Sequence, residues 1–275
     1  MTDKYAVMGN PIAHSKSPRI HTLFAEQTGQ DIEYSAILVE RGAFPESVAG
    51  FAAAGGKGLN VTVPFKEEAW ELAATHSPRA ERAGAVNTLL LTADGNHFGD
   101  NTDGAGLVRD LTHNHHCEIA GRRLLLVGAG GAARGVLEPL LAEHPALLVI
   151  ANRTAPRAVE LARHFCDLGR VEGCGLDDVD GHDFDLVINA TAASLAGEVP
   201  ALPAGVISTG TWCYDMMYGN GPTAFMHWAS ELEAAVTMDG LGMLVEQAAE
   251  SFRLWRGVRP DTAPVIRTLR MAQEQ

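Results

Sequence analysis

Leu124-Leu-Leu-Val127-Gly128-Ala-Gly130-Gly131-Ala-Ala133 decides the architecture of this 275-residue chain. The four apolar residues read as a buried strand, and the loop after them fits G-x-G-x-x-A with Ala133 in the third slot. Taken alone the pattern is weak. Here it leaves a strand and opens a helical stretch over Ala132–Glu143, the context in which such a loop binds a dinucleotide. Gly128 permits the tight turn, Gly130 lets the backbone approach a pyrophosphate, and the helix start offers free N–H groups. The competing reading is a glycine turn used only for packing, which that context disfavours.

The next strand sharpens the ligand. Leu147–Ala151 ends in Asn152-Arg153-Thr154, and Arg157 follows in a helix over Pro156–Phe165. About 20 residues after the glycines, an NAD site would place Asp or Glu on the adenosine ribose. No carboxylate stands there; two guanidinium groups and a hydroxyl do, which is chemistry for a 2′-phosphate. The expected cofactor is NADP. Leu186–Asn189 and Trp212–Asp215 read as further strands, and strands alternating with helices of this length imply a parallel sheet covered on both faces.

Upstream, Tyr5–Met8, Ile32–Leu38, Leu59–Val63 and Thr88–Thr92 read as strands, the last leading to an Asp94-Gly95 turn. Between them a helix starts at Ser17-Pro18, with Ser17 suited to the N-cap and Pro18 to the first helical position. A second helix spans Phe44–Ala54, and a third, after Pro64, carries Lys66, Trp70 and Leu72. Downstream, Leu241, Leu244, Val245, Ala248, Phe252 and Trp255 recur at helical spacing up to a stop at Gly257. The natural cut lies near residues 104–121.

Composition sets the outer limits. With 21 basic and 34 acidic residues the formal net charge is −13, which argues against nucleic acid or an anionic membrane as partner. No apolar run is long enough for a membrane span, the first residues lack a signal-peptide core, and four scattered cysteines do not make a disulfide scaffold. The expected location is cytoplasmic. His113-Asn-His-His-Cys117 resembles a metal cluster, but its spacing is too tight for zinc and a polar connector is expected, so no metal is expected.

Five further segments are dense in polar groups beside glycine or proline. They are Gly9-Asn-Pro-Ile-Ala-His-Ser-Lys-Ser-Pro18, Asn60-Val-Thr-Val-Pro-Phe-Lys66, Gly84-Ala-Val-Asn87-Thr, Gly99-Asp-Asn-Thr-Asp103-Gly and Asp239-Gly-Leu-Gly-Met-Leu-Val-Glu-Gln247. Together with the glycine loop and Asn152-Arg-Thr, they resemble shikimate dehydrogenases in order and spacing, from Tyr5 to about Val265. That resemblance implies reversible reduction of 3-dehydroshikimate to shikimate by NADPH in aromatic amino-acid and chorismate biosynthesis.

The resemblance implies roles residue by residue. Ser15 and Ser17 would hold the substrate carboxylate, with Lys16 between them also at the substrate, and Thr62, Asn87, Asp103, Tyr218 and Gln247 would take the remainder. Lys66 and Asp103 match the family's catalytic pair. Gly128–Ala132 and Asn152–Arg157 match its NADP loops, and Met216 and Gly240 match positions near the nicotinamide. The implied fold is an α/β substrate-binding catalytic domain (1–103), a Rossmann-like NADP domain (104–238), and C-terminal helices (239–275) completing the first. A homodimer is compatible with this.

Each assignment has a plainer competitor. Ser17 can cap its helix and still meet a ligand, Asp103 can cap the helix after it, and Gln247 can be a solvated helix residue. A calcium loop around Gly99–Gly104 fails, since counting from Asp94 puts Phe98 and Ala105 at ligand positions. A free lysine, with a pKa of about 10.4, suits acid–base work near neutrality poorly; at Lys66 a helix start and a nearby carboxylate act on the charge in opposite senses. Ser17 and Arg153-Thr154 favour shikimate and NADP over quinate and NAD. Retention of Lys66 and Asp103 disfavours a catalytically dead sensor. Ala192-Ala193-Ser194-Leu195 departs from the Ser-rich, Gly-containing stretch common in the family.

Overall fold

Two six-stranded sheets organise the computed structural model, which describes residues 2–179 and 183–273. The chain divides into two compact units, one of Met1–Gly106 with Val245–Arg267 and one of Leu107–Leu244 with Thr268–Gln275.

The first unit contains β1 (Asp3–Gly9), α1 (Ser17–Thr28), β2 (Ile32–Leu38), α2 (Phe44–Ala53), β3 (Gly56–Val61) and α3 (Lys66–Leu72). β4 (Thr75–His76), α4 (Pro78–Ala83), β5 (Thr88–Leu90), β6 (Phe98–Asp100) and the start of α5 (Asp103–Arg109) follow. The sheet order is β2-β1-β3-β5-β6-β4. β1 pairs in parallel with β2 and β3, whereas β5 is antiparallel to both β3 and β6. The reversal needs only a short connection. It is supplied where expected: Gly95 has φ +79° and the Asp94 carboxylate accepts the Asn96 N–H at 3.1 Å.

The second unit contains β7 (Arg123–Val127), α6 (Gly131–Ala142), β8 (Leu147–Ala151), α7 (Ala155–Phe165), β9 (Val171–Cys174), β10 (Leu186–Asn189), β11 (Trp212–Asp215), α8 (Ala224–Glu231) and β12 (Val236–Met238). All its pairings are parallel, in the order β12-β11-β10-β7-β8-β9. Leu124 and Leu126 enter one core with Leu137 and Leu140, while Leu125 and Val127 enter another with Phe184 and Phe225. Burial on both faces is why this strand is continuously apolar rather than alternating. The chain leaves β7 toward β8 and later returns to β10 on the other side. The carboxyl ends of β7 and β10 therefore flank the switch point where doubly wound sheets bind ligands.

α9 (Leu241–Arg256) stops at Gly257, φ +71°, and α10 (Ala263–Gln273) follows. In the first unit Trp255 stacks on Tyr5 with ring centroids 4.8 Å apart and donates to the Leu89 carbonyl at 3.0 Å. Gly58 is required beneath it, since an added Cβ would lie 2.4 Å from the indole nitrogen. One residue of α9 breaks its apolar stripe: Glu246 is fully buried and bonds Arg259 and Thr262 at 2.7 and 2.6 Å. The His113–Cys117 stretch continues α5 through a wide turn over Asp110–Asn114, and no group of residues fit to hold a metal occurs among the described residues. Among the same residues, no helix is long and apolar enough to cross a membrane.

Candidate active site

Lys66 opens α3 and Asp103 opens α5, and their side chains meet with Lys66 Nζ donating to Asp103 Oδ2 at 2.5 Å. The second carboxylate oxygen accepts from Asn87 Nδ2 at 2.7 Å. Antiparallel pairing of Thr88 with Asp100 is what brings residue 87 alongside residues 101–103. Asn87 is itself fixed, because its Oδ1 accepts the Thr102 N–H at 2.9 Å. From α9, Gln247 Oε1 comes within 3.4 Å of Asn87 Nδ2 and 3.3 Å of Thr102 Oγ1. Residues as far apart in sequence as Lys66 and Gln247 thus share one cluster. Lys66 and Asp103 keep 25% and 13% of their side-chain surface exposed, so the pair is sheltered yet reachable. An ammonium pinned by a carboxylate whose other oxygen is tied down can pass a proton along a fixed direction.

The Ser15–Ser17 loop corrects one expectation. Lys16, not Ser17, occupies the N-cap of α1, and no side chain caps the helix from that position. Ser15 Oγ accepts the Ser17 N–H at 3.3 Å, so one free donor of the helix start is satisfied from two residues back. The Ser17 hydroxyl is left buried beside the Tyr34 phenol. Tyr34 donates to Asn60 Oδ1 at 2.7 Å, and Asn60 Nδ2 bonds Thr88 Oγ1 at 3.1 Å and Ser251 Oγ at 2.9 Å. Thr88 Oγ1 in turn donates to Asn87 Oδ1 at 2.9 Å. Hydrogen bonds therefore run from the Ser17 side of the unit to the Lys66–Asp103 pair. Thr62 is held at the end of β3 through its N–H to the Met8 carbonyl, 3.0 Å. Its methyl would lie 2.3 Å from a Cβ at Gly9, so only glycine fits there.

In the second unit Gly128 has φ +114°, a conformation that favours glycine, and a Cβ there would come 3.3 Å from the Ala190 carbonyl oxygen. Gly130 and Gly131 lead into α6, and a Cβ on either would meet nothing within 4 Å. Open space over a helix start is the shape a pyrophosphate requires. Ala133 is fully buried, consistent with the small residue demanded by the third slot. Ala129 and Ala132 pack at the edge of the core. Beyond β8, Arg153, Thr154 and Arg157 are exposed, and Asn152 Nδ2 donates to the Thr154 carbonyl at 3.1 Å. No ion pair involves either arginine among the described residues, so both guanidinium groups remain available to an anion. These features fit an NADP-type dinucleotide.

Met216 and Gly240 touch: Gly240 N–H donates to the Met217 carbonyl at 3.0 Å, and a Cβ at Gly240 would lie 2.2 Å from the Met216 oxygen. Tyr218, half-buried on the same loop, has its phenol pKa raised by burial. The divergent Ala192–Leu195 stretch acquires an anchor, since Ser194 Oγ donates to Asp215 Oδ2 at 2.5 Å. Buried Asp215 also accepts from Thr223 Oγ1, Asn189 Nδ2 and the Met217 N–H at 2.6, 3.1 and 3.0 Å. Burial pushes the Asp215 carboxyl up against the opposing pull of these donors.

Sequence reading missed Asp215, Asn60, Thr102 and Ser251 as organising residues. Thr102 stood inside a quoted motif, and Asp215 ended a recognised strand, so position offered a signal for those two. Asn60 likewise opened a quoted motif, whereas Ser251 becomes informative only when β3 and α9 meet.

Comparison with known proteins agrees with this geometry. Residues 7–89 match the family described as shikimate dehydrogenase substrate binding domain, residues 110–196 the shikimate/quinate 5-dehydrogenase family, and residues 240–270 the shikimate 5′-dehydrogenase C-terminal domain. Shikimate dehydrogenase (NADP(+)) of Cellvibrio japonicus is 59% identical over 98% of each chain. Among solved structures, an Ael1 enzyme from Pseudomonas putida is 47% identical with a TM-score of 0.93 over 98% of each chain. Shikimate 5-dehydrogenase from Thermus thermophilus, in complex with NADP(H) and shikimate, is 33% identical with a TM-score of 0.87, over 98% of this chain and 100% of that one. With full-length identity of this order, a Rossmann-like second unit and the Lys66–Asp103 pair in the first, the chain belongs to the shikimate dehydrogenase family.

Proposed function

We propose that this protein is an NADP-dependent shikimate dehydrogenase, interconverting shikimate and 3-dehydroshikimate. The observation that carries the reading is the Lys66–Asp103 pair at 2.5 Å, braced by Asn87 and neighboured by Gln247. NADP, when bound, supplies the hydride acceptor or donor. As the free amine, Lys66 Nζ takes the proton from the substrate hydroxyl during oxidation; as the ammonium it returns that proton to the carbonyl oxygen during reduction. Asp103 orients the amine through Oδ2 and hydrogen-bonds substrate, with Asn87 keeping the carboxylate from rotating. The Ser15 and Ser17 hydroxyls take the substrate carboxylate, and Lys16, Thr62, Asn87, Gln247 and Tyr218 make the other substrate contacts.

On the cofactor side, Gly128–Ala132 cradle the pyrophosphate, while Asn152, Arg153, Thr154 and Arg157 take the adenosine 2′-phosphate. Met216 and Gly240 present backbone near the nicotinamide. In this reading residues 1–103 with the helical residues 245–267 serve the substrate and residues 104–238 serve NADP; of the expected 239–275 return, residues 239–244 and 268–275 instead group with the second unit. The net charge of −13 argues against nucleic acid or an anionic membrane as partner, and we read the enzyme as cytoplasmic with a small-molecule substrate. Sedimentation velocity tests a homodimer.

The deciding experiment compares shikimate with quinate and NADP with NAD in a spectrophotometric assay. Turnover of shikimate with NADP, well above either alternative, is expected. Comparable efficiency with quinate or NAD overturns the specificity, and no turnover of shikimate overturns the activity.

A further inference from the structure

Arg79, on α4, has no place among the residues assigned above, yet it joins two parts of the site. Its Nε and Nη2 donate to the two oxygens of Asp100 at 2.7 and 2.6 Å, and Nη2 also reaches Glu250 Oε1 at 3.3 Å. Asp100 is buried, and its Oδ1 further accepts from Ser77 Oγ at 2.5 Å and from the Asn101 N–H at 2.7 Å. Asn101 then passes the constraint on: its Oδ1 accepts the Asp103 N–H at 3.2 Å while its Nδ2 donates to the Ala85 carbonyl at 3.1 Å. One arm of the network therefore ends on the backbone of Asp103.

The other arm ends on Gln247. Glu250 lies three residues further along α9 and is also held by Arg253 and Arg259 at 2.7 and 2.8 Å. Gln247 faces Asn87 and Thr102 from that same helix. A guanidinium spans these two acceptors because its fork presents several N–H groups in one plane; a lysine ammonium is a point charge and cannot grip a carboxylate bidentately.

We propose that Arg79 is a positioning residue, setting the spacing between Asp103 and Gln247 for the bound substrate. The inference rests on the function proposed above. A purely structural staple would lower stability while leaving substrate affinity intact below the melting transition. A positioning residue must move substrate binding and spare NADP.

The test uses the full-length protein with Arg79→Lys and Glu250→Gln. Thermal melting confirms folding, calorimetry measures the shikimate Kd without cofactor, and steady-state rates give kcat and both KM values. For a folded Arg79→Lys variant we expect shikimate Kd and KM to rise about tenfold and kcat to fall about tenfold, since small misplacements of reacting groups are costly, with KM for NADP within about twofold. Glu250→Gln, which leaves the Asp100 grip intact, should weaken shikimate about threefold or more with a smaller loss of kcat. Folded Arg79→Lys with unchanged shikimate Kd and kcat, or with an equal change in KM for NADP, overturns the proposal. Should Arg79→Lys not fold, an unchanged shikimate Kd in Glu250→Gln overturns it instead. Failure of the unsubstituted protein to bind or oxidise shikimate refutes the proposed function, a result distinct from variants that match an active parent.

Discussion

Replacing Lys66 with alanine separates proton transfer from binding. Lys66 Nζ is 2.5 Å from Asp103 Oδ2, but Asp103 has other restraints: Asn87 holds Oδ1 and Asn101 holds the backbone N–H. The carboxylate should therefore stay in place when the amine is removed. What disappears is the proton donor and acceptor, and positioned acid–base groups contribute roughly 10²–10⁴ in rate. At 1.36 kcal/mol per decade this is about 3–5.5 kcal/mol on the barrier. A lysine that only hydrogen-bonds substrate behaves differently. Losing a charged hydrogen bond worth about 1.5–3 kcal/mol would raise KM and leave kcat in place.

The assay follows NADPH formation with saturating NADP and varied shikimate. The expected outcome for Lys66→Ala is a fall in kcat of about 10²-fold or more, with KM changed by no more than about threefold. Lys66 begins a helix and is partly exposed, so the melting temperature should hardly move. A kcat within about threefold of the parent, or a loss confined to KM, refutes its role in proton transfer.

Other outcomes are equally specific. Arg153→Ala should raise KM for NADP while leaving the weak use of NAD unchanged; an equal loss with both cofactors contradicts a 2′-phosphate contact. Gly130→Ala adds a methyl group that meets no protein atom and sits on extended backbone. It should leave the melting temperature intact yet raise KM for NADP, and unaltered NADP kinetics would place the pyrophosphate elsewhere. His21 stacks on Tyr34 with centroids 4.2 Å apart, and burial pushes its imidazole pKa down from 6.5 to about 3. The unfolded chain then binds a proton that the folded one refuses. The stability linked to His21 is therefore full above about pH 6.5 and falls as pH drops toward 3, by about 2 kcal/mol at pH 5. Urea titrations of His21→Phe should lack this part of the pH dependence, and an unaltered curve rejects the assignment.

The ease of reading differed from element to element for physical reasons. β7 was visible because burial on both sheet faces makes Leu124–Val127 wholly apolar. The stop of α9 was visible because Gly257 takes a left-handed conformation after an apolar stripe. β4 and β6, with 2 and 3 residues, are too short for any period to emerge. The N-cap of α1 is ambiguous in sequence because Ser15 and Ser17 both carry a hydroxyl of the right kind, and only backbone geometry shows that Ser15 meets the free N–H. Glu246 interrupts an apolar stripe and looks solvated in sequence; Arg259 and Thr262 make its burial tolerable.

What the sequence determined by itself was local. Steric demands confined to a few residues are carried by residue type: the glycine slots, the absence of acid after β8, and the short motifs bearing Lys66, Asn87 and Asp103. Tertiary structure decided which of those groups act together. Pairing of β5 with β6 and the docking of residues 245–267 bring Asp103, Asn87, Lys66 and Gln247 within hydrogen-bonding distance. The same packing ties half-buried Arg79 and Glu250 to buried Asp100. Contacts between residues far apart in the chain depend on strand register and helix placement, and neither is encoded in the spacing of any single motif.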